Sequence, residues 1–165
     1  MGDPEIPPLV KQIVRGLRGL AFCSTILATA FMAASHERAT FPTFDYQVDY
    51  KGLMFFKAFL GANIAATLYS LFFACLPPKS LLWRLAIVLD VIMFGLLVSM
   101  DSVAVAAAYL HKNGDSQAYW SPICSQAPTY CYRVISAISA GFCGVFMFLL
   151  IIIYSISVIL NPLLV

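Results

Sequence analysis

Two carboxylates lie inside one apolar run. The segment Leu82–Leu110 is long enough to cross a bilayer, yet it holds Asp90 about two turns in and Asp101 eleven residues further on. An acid in a spanning helix costs on the order of 3 kcal/mol by insertion scales, and more when isolated. Asp90 is therefore expected to face protein and to have a cationic partner. Arg18, at the start of the first apolar segment and on the same side of the membrane, is that partner. Arg84 competes poorly, because six residues rotate it by about 600°, onto the far face of Asp90's own helix. Arg18 can also snorkel toward water, which keeps its own cost low. The expected role is a structural ion pair, Arg18 with Asp90, that sets helix register. The rival chemistry is a proton or ion relay, which needs further ionisable groups along a path. Asp101 is the candidate for that path. Eleven residues turn it by about 1100°, onto the face of Asp90 and about 16 Å along the axis. Ser99 and Ser102 flank it, and no Lys, Arg or His inside the other apolar segments answers it. Asp101 is expected to bond to Thr25, Thr29 or Asn63, or to be carried as the neutral acid.

Five cysteines divide into two kinds. Cys23, Cys75 and Cys143 lie in apolar segments, where a free Cys serves as a small hydrophobe. Cys75 is near a membrane boundary and is open to acylation. Cys124 and Cys131 bracket the short polar stretch SQAPTY, outside the apolar segments. If that loop faces an oxidising compartment, the two are expected to form a disulfide. A zinc site is not expected, since only His36 and His111 could add ligands and neither has metal-site spacing. Each His follows an apolar segment and is read as exposed at the interface. No nucleophile–base pair or phosphate loop appears, so neither an enzyme nor a cofactor is expected.

The elements that place these residues follow from composition. Of 165 residues, 61% are hydrophobic and 11% charged, with a mean hydropathy of +0.87. Soluble domains carry about 25% charged residues, so this is an all-α membrane protein with a single bundle domain. Four apolar segments, about 17–35, 53–76, 82–110 and 134–160, each approach the ~20 residues a spanning helix requires. They predict an antiparallel four-helix bundle over 17–160, with tails at 1–16 and 161–165. A barrel is excluded because the runs do not alternate lipid-facing and lumen-facing residues. The net charge of +2, with no basic cluster, excludes nucleic acid. The acidic, proline-containing N-terminus is not a secretory signal. Met1-Gly2 is not followed by the Ser or Thr of a myristoylation site, since position 6 is Ile6.

Pro77-Pro78-Lys79-Ser80 predicts a tight turn that forces the second and third helices side by side. The longer loops, 36–52 and 111–132, then share the opposite face. Lys and Arg number five on each side, but Lys11, Arg15 and Arg18 crowd the flank of the first segment. That flank and the cysteine pair both place the termini in the cytoplasm. Tyr46, Tyr50, Tyr109, Tyr119, Trp120, Tyr130 and Tyr132 mark the outer boundary and Trp83 the inner one. Small residues recur every fourth position: Ala21, Thr25, Thr29 and Ala33; Ala58, Ala62, Ala66, Ser70 and Ala74; Ser136, Ala140 and Gly144. Such faces let helices approach closely and leave little room for a pore.

These residues together resemble the Casparian strip membrane protein-like family of plants, relatives of the MARVEL four-helix membrane proteins. The likeness runs from about Arg15 to Leu160. It rests on LRGLAF around Arg18, on FKAFLGANIAATLYSLF with Asn63, Tyr69 and Ser70, and on LDVIMFGLLVS around Asp90. It rests also on the second-loop spacing Gly114, Trp120, Ile123, Cys124 and Cys131. Asp115 and Asp101 depart from the family pattern, and the first loop lacks the signature of the members that build Casparian strips. The resemblance implies a plasma-membrane scaffold that self-associates, pairs with related four-helix proteins and holds other proteins in place. It also implies guidance of local cell-wall modification through an extracellular or wall-modifying partner. Gly114, Trp120 and Ile123, shaped by the disulfide, would form a small outer epitope. The rival class is a small proton- or ion-coupled transporter or channel using Asp90 and Asp101.

Overall fold

The computed structural model of the protein describes residues 8–40, 45–49, 52, 54–75, 80–114 and 122–160. The Pro77-Pro78-Lys79 turn, Tyr50, Asp115, Tyr119 and Trp120 lie outside the described residues, as do residues 1–7 and 161–165. Four helices make the bundle: α1, Pro8–Ala33; α2, Met54–Cys75; α3, Ser80–Asn113; α4, Pro128–Leu160. All four are long and apolar enough to span a membrane. At 1.5 Å per residue, the 34 residues of α3 and 33 of α4 reach about 50 Å, beyond a hydrocarbon core of about 30 Å.

Two helices begin well before their apolar segments. α1 starts at Pro8 and α4 at Pro128. Proline suits the first helical position, where its missing N–H would have had no partner and its φ is already helical. The other boundary signal is Gly114, at φ 70° just past α3, whose N–H donates to the Leu110 carbonyl at 2.8 Å. That left-handed cap favours glycine.

Each helix packs on its sequence neighbours, and α1 and α4 close the ring. α1 and α3 therefore stand on one diagonal. The bundle turns large apolar side chains outward, among them Leu68, Phe72, Val88 and Phe146, as lipid as solvent permits. Its interior holds two apolar clusters. One, at the end carrying the longer loops, gathers Met32, Phe56, Phe59, Ala104, Tyr130 and Val134. The other, toward the chain termini, gathers Ala21, Ala66, Tyr69, Leu97, Phe148 and Ile151. Between them lies a polar level. Thr25 falls between Ala21 and Ala28, Asn63 between Phe59 and Ala66, and Asp101 between Leu97 and Ala104.

Several sequence expectations are corrected. The first loop carries a hairpin, β1 (His36–Thr40) antiparallel to β2 (Asp45–Asp49), with His36 opposite Asp49 and Thr40 opposite Asp45. Strand residues between two helices carried no periodicity strong enough to announce it. His111 is not an exposed interfacial residue: it is inside α3, 3% exposed, with its ring edge on Phe56 at 5.6 Å and near Tyr130 at 5.9 Å. Tyr130 is fully buried as well, while Tyr109 and Tyr132 remain exposed. The fully buried line of α4 runs through Ala137, Gly141 and Gly144; of the expected stripe, Gly144 is buried and Ala140 packs, partly buried, against the loop-end cluster. In α2 the line Ala62, Ala66 and Ser70 is buried, whereas Ala58 is exposed.

Candidate functional site

The lock toward the terminal end is built from three helices. α1 presents Val14, Arg18, Ala21, Thr25, Ala28 and Met32 inward, at alternating spacings of three and four, so Arg18 shares the core face with small residues that let neighbours approach. α3 presents Ala86, Asp90, Leu97, Asp101 and Ala104. Arg18 Nη2 donates to Asp90 Oδ2 at 2.7 Å. The pair is buried, with Arg18 5% and Asp90 0% exposed, and it crosses the diagonal between α1 and α3. Tyr69 of α2 completes it. Its hydroxyl lies 2.7 Å from Asp90 Oδ1 and 3.0 Å from the Ala86 carbonyl, and the single proton goes preferentially to the charged acceptor. The Arg18 guanidinium also sits over the Tyr69 and Phe73 rings, 5.6 and 5.4 Å from their centroids. Arg18 Nη1 has no hydrogen-bond partner, and those ring faces are its electrostatic support.

Sequence reasoning missed Tyr69 as the third member. Its composition signal is that of any aromatic in an apolar helix. The one usable signal was the resemblance, which already set Tyr69 apart with Asn63 and Ser70.

The other acid stands differently. Asp101 is fully buried, yet neither carboxylate oxygen has a hydrogen-bond partner. Thr25 and Thr29 do not reach it: Thr25 donates to the Ala21 carbonyl at 2.9 Å and Thr29 to the Thr25 carbonyl at 2.8 Å. Asn63 is the polar side chain that bears on Asp101, without closing a hydrogen bond of ordinary geometry. Its amide nitrogen donates to the Phe59 carbonyl at 3.0 Å. The Thr67 hydroxyl lies 2.9 Å from the Thr25 hydroxyl and 2.7 Å from the Asn63 carbonyl, joining α1 to α2 at this level. From α4 the Gly141 backbone comes so close that a Cβ there would fall 2.8 Å from Asp101 Oδ2.

At the loop end, Cys124 and Cys131 form a disulfide with Cα atoms 5.6 Å apart. The bridged turn is fastened to α3, since the N–H groups of Ile123 and Cys124 both donate to the His111 carbonyl, at 2.9 and 3.3 Å. Ile123 packs inward on the loop-end cluster. Arg133 Nη1 donates to the Ala34 carbonyl at 2.6 Å, tying α4 to the end of α1. Of the three residues expected to form an epitope, Gly114 therefore caps α3, Ile123 anchors the turn and Trp120 is outside the described residues. Cys23, Cys75 and Cys143 are free and exposed on the outside of the bundle. Among the described residues, no three His, Cys, Asp or Glu side chains converge as a metal site would require.

A four-helix membrane-spanning bundle, locked across its diagonal by an arginine–aspartate pair and bridged at its loop end by a disulfide, is the class that fold and site define. The Casparian strip membrane protein domain matches residues 8–147, and the chain belongs to that family. It is 85% identical over 165 residues, the whole of both chains, to CASP-like protein 1C1 of Populus trichocarpa. It is 39% identical over 148 residues to CASP-like protein 1C3 of the same species, covering 90% of this chain and 86% of that one. CASP-like protein 1C1 of Arabidopsis thaliana is 37% identical over 146 residues, covering 88% and 89%. No solved structure matches the chain.

Proposed function

We propose that this protein is a non-enzymatic plasma-membrane scaffold, with both termini cytoplasmic, that self-associates and organises partner proteins in a membrane patch. Homo-oligomers and hetero-oligomers with related four-helix proteins build the patch. Its outward surface, around the disulfide-bridged turn, recruits an extracellular partner that modifies the wall locally. The observation that carries this reading is the three-helix lock. Arg18 and Asp90 balance each other's charge across the diagonal, Tyr69 adds a hydrogen bond to the carboxylate, and the free Nη1 of Arg18 is backed by the Tyr69 and Phe73 rings. A passive, rigid bundle with an apolar exterior is what a lateral-packing scaffold requires. Membership of the family supports the same role.

The test is a fluorescent fusion expressed in plant cells. Slow recovery after photobleaching in discrete surface patches, multi-step bleaching of the purified particle, and recovery of wall enzymes by proximity labelling from the loop end are expected. A freely diffusing monomer in an internal membrane would overturn the proposal.

A further inference from the structure

We infer that Asp101 and Asn63 form a binding site for a single monovalent cation, a proton or an alkali-metal ion, at the middle level of the bundle. Three buried oxygens there lack a donor: Asp101 Oδ1, Asp101 Oδ2 and Asn63 Oδ1. Both residues are 0% exposed. A lone carboxylate at this depth is costly, and no described side chain across from it supplies a positive charge. From α2 the group that bears on it is the Asn63 amide. From α4 it is the Gly141 backbone, whose missing Cβ leaves the carboxylate its place. α1 contributes Thr25, which accepts from Thr67 of α2 at this level, and the only described acid or base of α1 in the core, Arg18, is engaged by Asp90. On α3 itself, Asp90 and His111 are about 16 and 15 Å away by helical rise. One bound positive charge neutralises the acid and gives its two unpartnered oxygens something to coordinate or to receive a hydrogen bond from. Two positive charges would restore the imbalance with opposite sign, so a divalent ion is disfavoured. The site does not depend on the scaffold role.

The experiment uses full-length protein in lipid nanodiscs. Infrared spectra of the wild type and Asp101→Asn are compared at neutral pH. Thermal unfolding is then followed in choline chloride, sodium chloride and potassium chloride at equal ionic strength. With a proton bound, the wild type shows a protonated-carboxyl carbonyl band that Asp101→Asn loses, and melting is indifferent to the salt. With an alkali ion bound, the wild-type melting temperature rises in sodium or potassium, and Asp101→Asn does not respond. An ionised carboxylate with no salt response overturns the proposal. Should Asp101→Asn fail to fold, the wild-type spectrum still decides. Exposed acids are ionised at neutral pH, so a protonated band comes from a buried acid. It shifts in Asn63→Gln if it belongs to Asp101, and in Tyr69→Phe if it belongs to Asp90, which would again overturn the proposal.

Discussion

Asp90 and Asp101 are the same side chain, on one face of one helix, both fully buried. Asp90 meets a guanidinium and a phenol within 2.7 Å. Asp101 meets an amide that does not close a bond and a glycine backbone. The two helices diagonal to each other are joined through the first acid, whereas the second is held by packing alone. Depth in lipid thus sets the demand for a partner, but the neighbouring helices decide how it is met: by a salt link in one case, and in the other by no described cationic side chain.

The largest test exchanges each acid for its amide. Asp90→Asn leaves Arg18 buried without its counter-charge, a loss of about 3–5 kcal/mol. Asp101→Asn removes an acid that no described cationic side chain answers, and should cost about 1 kcal/mol or less. Thermal unfolding in nanodiscs measures both. Equal losses would erase the distinction between the two sites.

A smaller effect is expected at the loop end. Replacing Cys124 and Cys131 by serine should cost about 2–3 kcal/mol, from the freed loop entropy, and leave the lock and insertion intact. The wild type should shift in gel mobility on reduction, and the double variant should not. A variant that fails to insert would show the bridge to be coupled to the bundle rather than confined to its cap.

Tyr69→Phe sharpens the account of the lock. It removes one hydrogen bond to a charged acceptor but keeps the ring under Arg18, so a loss of about 1.5–2 kcal/mol is expected. An unchanged melting temperature would show that the hydroxyl adds nothing to the lock. The smallest change probes the second acid. In Gly141→Ala the new methyl group meets the Asp101 carboxylate, with a cost of about 1 kcal/mol from overpacking. Adding Asp101→Ala should recover it, because the obstructing group is gone. If the double variant merely sums the single losses, the close approach is not what the structure depicts.

Part of this was legible before any coordinates. Arg18 with Asp90 followed from the cost of an unpaired charge in lipid, which leaves few solutions when cations are scarce. Cys124 with Cys131 followed from two thiols in one polar stretch. Tyr69 was not legible as a ligand, because a phenol in an apolar helix has many possible acceptors and no net charge to betray its partner. His111 was misplaced because an apolar-run reading ends α3 where polarity rises, while the helix continues to Asn113. The early starts at Pro8 and Pro128 lie outside the apolar runs, and proline at the first helical position is the signal that marks them.

Composition and segment length by themselves determined that the chain spans a membrane four times, because backbone groups in hydrocarbon leave helices as the solution for runs of this kind. Scarcity of charge determined which arginine and which aspartate had to meet. Only the tertiary structure decided that Tyr69 joins them, that His111 is inside, and that Asp101 is left facing Asn63 and Gly141. Those outcomes depend on the rotation of each helix about its own axis and on which glycine lets a neighbour come close. Both are settled by packing among all four helices at once.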